Sequence, residues 1–181
     1  MITLRPHQLE DAEHVSALSS HEKISGALGL SKAQTSVEGT RAFISFVNAE
    51  EAKGNMYSRA IVFENKIVGV ITLKQVDLSK RSCHIGTWIG YPYWGQGMNA
   101  AAKKQILQFA FDELNLQLVF AGAKAENLRS IKAQEKLPYI RMNVEHLFPD
   151  EVESMVNEYG TDCILNVIEE RSFYQWLNQN H

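Results

Sequence analysis

Apolar and polar residues alternate in short runs at the start of the chain and fall at helical spacing soon afterwards. Ile2-Thr3-Leu4-Arg5 alternates with period two and stops at Pro6, which predicts a short opening strand. Ala12, Val15 and Leu18 recur on one helix face and place a helix over residues 11–19. Residues 24–36, rich in Ser, Gly and Ala, read as a flexible connection. Ser36 stands where an N-cap belongs, ahead of a helix whose apolar stripe is Phe43, Phe46 and Val47 and which Gly54-Asn55 stops.

From Met56 the period changes. Residues 56–63 and 67–76 are rich in β-formers and are joined at Glu64-Asn65-Lys66, a hairpin pattern. A polar turn over residues 77–81 leads to Cys83-His84-Ile85-Gly86-Thr87-Trp88-Ile89, the third strand of a meander. Residues 97–114 carry the strongest helical pattern, with Ala102, Ile106, Phe109, Ala110 and Leu114 on one face. A strand over 116–123 and a helix over 128–137, stopped by Pro138, come next. Residues 139–148 and 163–168 read as two late strands around a polar insert, 149–160, and residues 170–179 as a terminal helix. A meander feeding a right-handed strand–helix–strand unit is an α+β pattern, expected to form one domain over residues 1–181.

Composition narrows the function classes. The 181 residues are 45% apolar and 22% charged, the make-up of a globular protein with an ordinary core. Two cysteines, Cys83 and Cys163, form neither a disulfide framework nor a zinc pattern, and no apolar run approaches the length of a membrane span. The opening residues lack the apolar stretch of a signal peptide, so a cytoplasmic location is expected. A net charge of −3 is not the basic excess of a general nucleic-acid binder.

The sharpest local feature is Trp94-Gly95-Gln96-Gly97-Met98-Asn99-Ala100, set between the 83–90 strand and the strongest helix. Two glycines there let the backbone turn tightly and present its N–H groups, and the helix N-terminus adds partial positive charge. Together they predict an anion cradle suited to a diphosphate. The same letters satisfy the dinucleotide fingerprint G-x-G-x-x-A, but Tyr91-Pro92-Tyr93-Trp94 separates them from the strand and no acidic residue closes the next strand at the expected distance. That alternative predicts NAD(H) binding.

Taken with Ile85-Gly86-Thr87-Trp88-Ile89, Asn127-Leu128-Arg129-Ser130 and Glu135-Lys136-Leu137-Pro138-Tyr139, the turn resembles the GNAT N-acetyltransferases, most closely the RimJ/RimL-type branch that acetylates ribosomal-protein N-termini. Leu4-Arg5-Pro6 and Gly160-Thr161-Asp162-Cys163 extend the resemblance over nearly the whole chain. It implies a mixed, mostly antiparallel central sheet with helices on both faces and a splayed central strand pair. It also implies acetyl-CoA as co-substrate, in a cleft where the 83–90 strand parts from the 116–123 strand, and no metal. The diphosphate would lie on the amides of Gly95, Gln96, Gly97, Met98, Asn99 and Ala100, and the pantetheine arm would pair with Trp88, Ile89 and Gly90. Asn127 and Arg129 would add cofactor contacts, with Lys103 and Lys132 as further candidates for the 3′-phosphate. A homodimer is within the family's range.

Acetyl transfer needs a neutral amine, a stabilised oxyanion and a proton for the leaving thiolate. An α-amine of pKa near 8 is about a tenth neutral at pH 7, so a modest base serves it. His84 lies on the strand position where many family members carry glutamate and is the candidate base, against the reading of a histidine packed in the sheet. Glu145 is the reserve. Ser130 is the candidate proton donor, because Gln134 fills the slot where other relatives use tyrosine and cannot give a proton. A backbone N–H at Ile89 or Gly90 is the oxyanion candidate. Cys83 alternates to the face opposite His84 and reads as a buried apolar residue rather than a nucleophile. Acceptors would be a protein N-terminus or a small amine, with residues 20–40 and 145–162 setting specificity. A different class, a CoA-binding sensor without turnover, is motivated by Ala101, where an acidic residue is common, and by Pro138, where the motif has glycine.

Overall fold

The computed structural model describes all residues from Met1 to His181. Seven strands, β1 (Ile2–Arg5), β2 (Tyr57–Phe63), β3 (Lys66–Asp77), β4 (Ser82–Ile89), β5 (Leu118–Lys124), β6 (Ile140–Arg141) and β7 (Cys163–Glu169), lie in the order β1-β2-β3-β4-β5-β7-β6. The helices are α1 (Ala12–Ser19), α2 (Glu22–Leu28), α3 (Lys32–Thr35), α4 (Val37–Ala52), α5 (Met98–Gln108), α6 (Leu128–Glu135), α7 (Pro149–Tyr159) and α8 (Glu170–Gln179). The chain divides into two compact units, Met1–Val76 with Gly86–Phe109, and Asp77–Ile85 with Ala110–His181. No helix is long and apolar enough to cross a membrane.

In the first unit β1 and β2, and β2 and β3, pair antiparallel. The β2–β3 hairpin turns on Glu64 and Asn65, both at positive φ, which matches the right-handed twist of the flanking strands. Residues 67–71 of β3 are buried without interruption, the sign of a strand covered on both faces. Val15, Ala60, Ile67 and Val70 form a core cluster against which Leu18, Val62 and Trp88 pack. A bidentate pair, Arg5 to Asp11 at 2.8 Å through both oxygens, ties β1 to the start of α1, and Asp11 also accepts from the Gln8 N–H. These bonds hold the Asp11 carboxyl below its ordinary range. A depressed carboxylate contributes stability above its unfolded pKa that is lost as pH falls. Asp11→Asn is expected to cost roughly 1–2 kcal/mol at pH 7 and to flatten the loss of stability below about pH 4, read by urea unfolding across that range.

The region read as flexible, residues 24–36, is instead helical. His21 Nδ1 accepts from the Lys23 N–H to cap α2, and Gly29 ends it in the left-handed region. Ser31 and Gln34 form a reciprocal capping box on α3. Ser36 caps α4 as expected, accepting from the Gly39 N–H at 3.0 Å. Local caps outweighed the weak helix propensity of Ser and Gly.

In the second unit β4 and β5 pair in parallel over Ser82–His84 and Leu118–Phe120, only three of the eight residues of β4. Antiparallel β7 lies along the full length of β5, and β6 is added outside it. The helix expected over residues 97–114 is α-helical to Gln108 and continues as a π-helical turn, Phe109–Glu113. The late strand expected over 139–148 is only two residues long. Asn143 takes a positive φ and its N–H bonds the Asn166 side chain, so the ladder stops. The insert expected at 149–160 is helix α7, begun by Pro149, given acidic residues in its first turn and ended by Gly160 at positive φ. It is held by a core cluster of Phe120, Val144, Met155, Leu165 and Val167, with Phe148 and Val152 against it.

Candidate active site

In the first unit the 86–101 stretch builds the predicted cradle. Gly90 donates its N–H to Val68 O at 2.7 Å, and a single turn at Tyr91–Tyr93 carries the chain to Trp94, whose indole N–H bonds back to Ile89 O at 2.7 Å. Gly95 and Gly97 then sit at φ 76° and 74°, with open space where a Cβ would be. The amides from Gly95 to Ala100 make no backbone hydrogen bond. Ala101 is the first that does, to Gly97 O at 3.2 Å. Six donors in succession at the N-terminus of an eleven-residue helix suit an anion. Buried Met98 anchors that first turn in the core.

The residues fit a coenzyme A in a second respect. Thr87 Oγ1 and Asn99 Oδ1 are buried without partners, so each can accept a hydrogen bond from an amide-bearing ligand. The strand segment Trp88–Gly90 is more restricted than its sequence suggests. Ladder alternation directs the Gly90 N–H to β3 and the Ile89 N–H to the other edge. Of the two oxyanion donors considered, Gly90 is therefore committed within the sheet, and the Ile89 N–H is the one aimed away from it.

The second unit carries Asn127, Arg129, Ser130 and His84. Asn127 Oδ1 accepts from the Ser130 N–H at 3.2 Å and caps α6. Gln134 donates to Ser130 Oγ at 3.3 Å and to Gly122 O at 3.2 Å, and accepts from Asn166 Nδ2 at 2.6 Å. Ser130 Oγ is thus an acceptor within a buried amide network, which leaves its own O–H to donate elsewhere. Gln134 has no acidic proton to give, and its amide holds Ser130 Oγ as an acceptor. Arg129 and Lys132 are exposed on α6, whereas Lys103 on α5 is only 7% exposed and makes neither a hydrogen bond nor an ion pair. Burial pulls its ammonium down to about 8.

His84 is buried on β4, its ring 5.2 Å from Phe120, and Nε2 lies 2.6 Å from Glu151 Oε2. Glu151 was not anticipated from the sequence. Pro149 at the first helical position, acidic residues after it, Gly160 at the end and Val152, Met155 and Val156 at helical spacing were the signals for α7 that would have placed it. His84 and Ser130 share a unit, yet no hydrogen bond joins them, each being held by its own partners. Glu145, the reserve base, is tied up structurally: its Oε1 accepts from the Leu165 N–H at 3.0 Å. Cys83 is fully buried, and burial pushes its thiol up to about 12, which removes it as a nucleophile.

The Rossmann alternative fails on topology, because only β4 and β5 of the five ladders described pair in parallel, the others being antiparallel, and a turn intervenes before the glycines. Comparison with known proteins agrees. A Mycobacterium smegmatis RimJ in complex with CoA-disulfide shares the fold at a TM-score of 0.76 and 20% identity, over 99% of this chain and 89% of that one. A Vibrio cholerae spermidine N-acetyltransferase in complex with CoA and spermine does so at 0.72 and 14%, over 96% and 98%. Among curated proteins, the chain is 25% identical over 142 residues to "Putative ribosomal N-acetyltransferase YdaF" of Bacillus subtilis (strain 168), covering 77% of this chain and 78% of that protein. Residues 1–139 match the family described as an acetyltransferase (GNAT) domain, so the chain belongs to the GNAT family of acetyl-CoA-dependent N-acetyltransferases.

Proposed function

We propose that this enzyme acetylates a protein N-terminal α-amino group, as in the ribosomal branch of its family, by direct attack in a ternary complex. The observation that carries the reading is the imidazole of His84 on β4, packed against Phe120 with no hydrogen bond at Nδ1, a base adequate for an amine that is already partly neutral at pH 7. Acetyl-CoA supplies the activated carbonyl carbon. The amides of Gly95–Ala100 hold its diphosphate, and Trp88, Ile89 and Gly90 line the pantetheine arm, with Asn127 and Arg129 as further contacts. His84 takes the proton that the amine loses. The Ile89 N–H faces the oxyanion, and Ser130 protonates the departing thiolate and recovers its proton from water.

The acceptor panel is the direct test. Thiol release is measured on peptides with free N-termini, on spermidine and on an aminoglycoside, with acetyl-CoA binding followed by calorimetry. Turnover on peptides alone is expected. Turnover on spermidine or the aminoglycoside alone would replace the acceptor assignment, and binding without turnover would make the protein a CoA sensor. Ser130→Ala is expected to lower kcat at least tenfold while acetyl-CoA affinity stays within about twofold. Equal kcat would remove the proton-donor role. Asn127→Ala should cost about 1 kcal/mol of stability through loss of the α6 cap, read by thermal unfolding.

A further inference from the structure

His84 and Glu151 are 67 residues apart in sequence, and nothing in the reaction requires a carboxylate at the second position. The fold nevertheless brings them together through one apolar cluster. Phe120 is the parallel-strand neighbour of His84 and packs on its ring, and the same Phe120 meets Phe148, just before α7, at 4.8 Å. Met155 presses α7 onto β5 so closely that a Cβ on Gly122 would fall 2.1 Å from its methyl group. Glu151, in the first turn of that helix, has a side chain 20% exposed, against 6% for His84. Both groups therefore lie largely out of water, where a carboxylate fixes the hydrogen-bonded state of its partner most firmly.

We propose that Glu151 is the positioning residue for His84: its carboxylate accepts the Nε2–H, fixes the tautomer and ring orientation, and leaves Nδ1 as the nitrogen that takes the substrate proton. This inference rests on the reading of His84 as the base. The geometry fits it, since Nε2 is engaged and Nδ1 makes no hydrogen bond. Proton transfer balances simply. The attacking amine forms the new C–N bond as the C–S bond breaks, its N–H proton passes to Nδ1, and Glu151 keeps its hydrogen bond to Nε2–H of the resulting imidazolium, as orienting carboxylates do in hydrolase triads. The imidazolium then returns the proton to solvent. Carboxylates that orient the histidines of metal sites matter by about ten- to a hundredfold, and an effect of that order is expected here.

The test labels the histidines of the intact protein with 15N and assigns His84 by its loss in His84→Ala. At about pH 8.5 the expected result is an Nε2–H of His84 shielded from solvent exchange and an unprotonated Nδ1, with the shielded proton lost in Glu151→Ala. A proton on Nδ1, or an Nε2–H signal unchanged in Glu151→Ala, overturns the proposal whether or not an acceptor is known. Near-ultraviolet circular dichroism checks the fold, and Glu151→Met, of similar length but without an acceptor oxygen, replaces Glu151→Ala where that variant is unfolded. On the acceptor found by the panel, Glu151→Gln should lower kcat about tenfold with KM little changed, and should have no further effect in the His84→Ala background. Equal losses in both backgrounds mean that Glu151 does not act through His84. Wild-type kcat in His84→Ala alone rejects the base reading itself, which separates the two failures.

Discussion

Gly69→Ala should unfold or severely loosen the first unit, by roughly 3 kcal/mol or more, and should weaken acetyl-CoA binding in whatever folded protein remains. A Cβ at this position would lie 2.3 Å from Trp88 O and 3.1 Å from Ile89 Cα. These are backbone atoms, so no rotamer change relieves the clash. β4 must move away from β3 just where Gly90 donates to Val68 O at 2.7 Å. That bond fixes the path of Ile89 and its neighbours, which the proposed function places along the cofactor, so displacement is expected to cost stability and affinity together. Urea unfolding and calorimetry with acetyl-CoA measure both. A variant of unchanged midpoint and affinity would show that β4 is not fixed by this close approach. Gly86→Ala is the control, because open space surrounds that position, and it should change stability by less than about 1 kcal/mol.

Lys103→Met should stabilise the ligand-free protein at pH 7 by up to roughly 3 kcal/mol. The buried ammonium has no partner, and its pKa in the folded protein is about 8 against an ordinary 10.5. Below pH 8 the folded protein carries the charge at full cost. Between about 8 and 10.5 the unfolded chain binds more protons than the folded one, so wild-type stability gains from this group as pH rises. The methionine variant loses that gain, and its advantage should shrink towards zero near pH 10.5. Cys83 and Tyr139, both pushed up to about 12 by burial, shift stability the other way at alkaline pH but cancel in the comparison. Equal stability of the two proteins at pH 7 would mean that the ammonium finds solvation or a partner.

Much of the fold was legible because it is locally determined. The β2–β3 hairpin, the capped α4 and the glycine turn before α5 each follow from short-range rules of period, cap and positive φ. Residues 24–36 and 149–160 form helices despite their polar composition, because the capping chemistry of Ser31, Gln34, Pro149 and Gly160 outweighs it. The late strand failed for a different reason. Asn143 leaves the ladder to satisfy Asn166, a partner 23 residues away that no local pattern predicts.

The amino-acid order by itself determined the α+β plan, the glycine turn before α5 and the residue types offered for chemistry, since each depends on neighbours within a few positions. Only the tertiary structure decided which of those residues are at liberty to act. Long-range packing buried Lys103 and Cys83, committed the amide of Gly90 and the carboxylate of Glu145 to the backbone, and set Glu151 against His84. Burial and hydrogen-bond partnership are properties of the folded neighbourhood, and they determine whether a polar group is spent on the scaffold or left for a substrate.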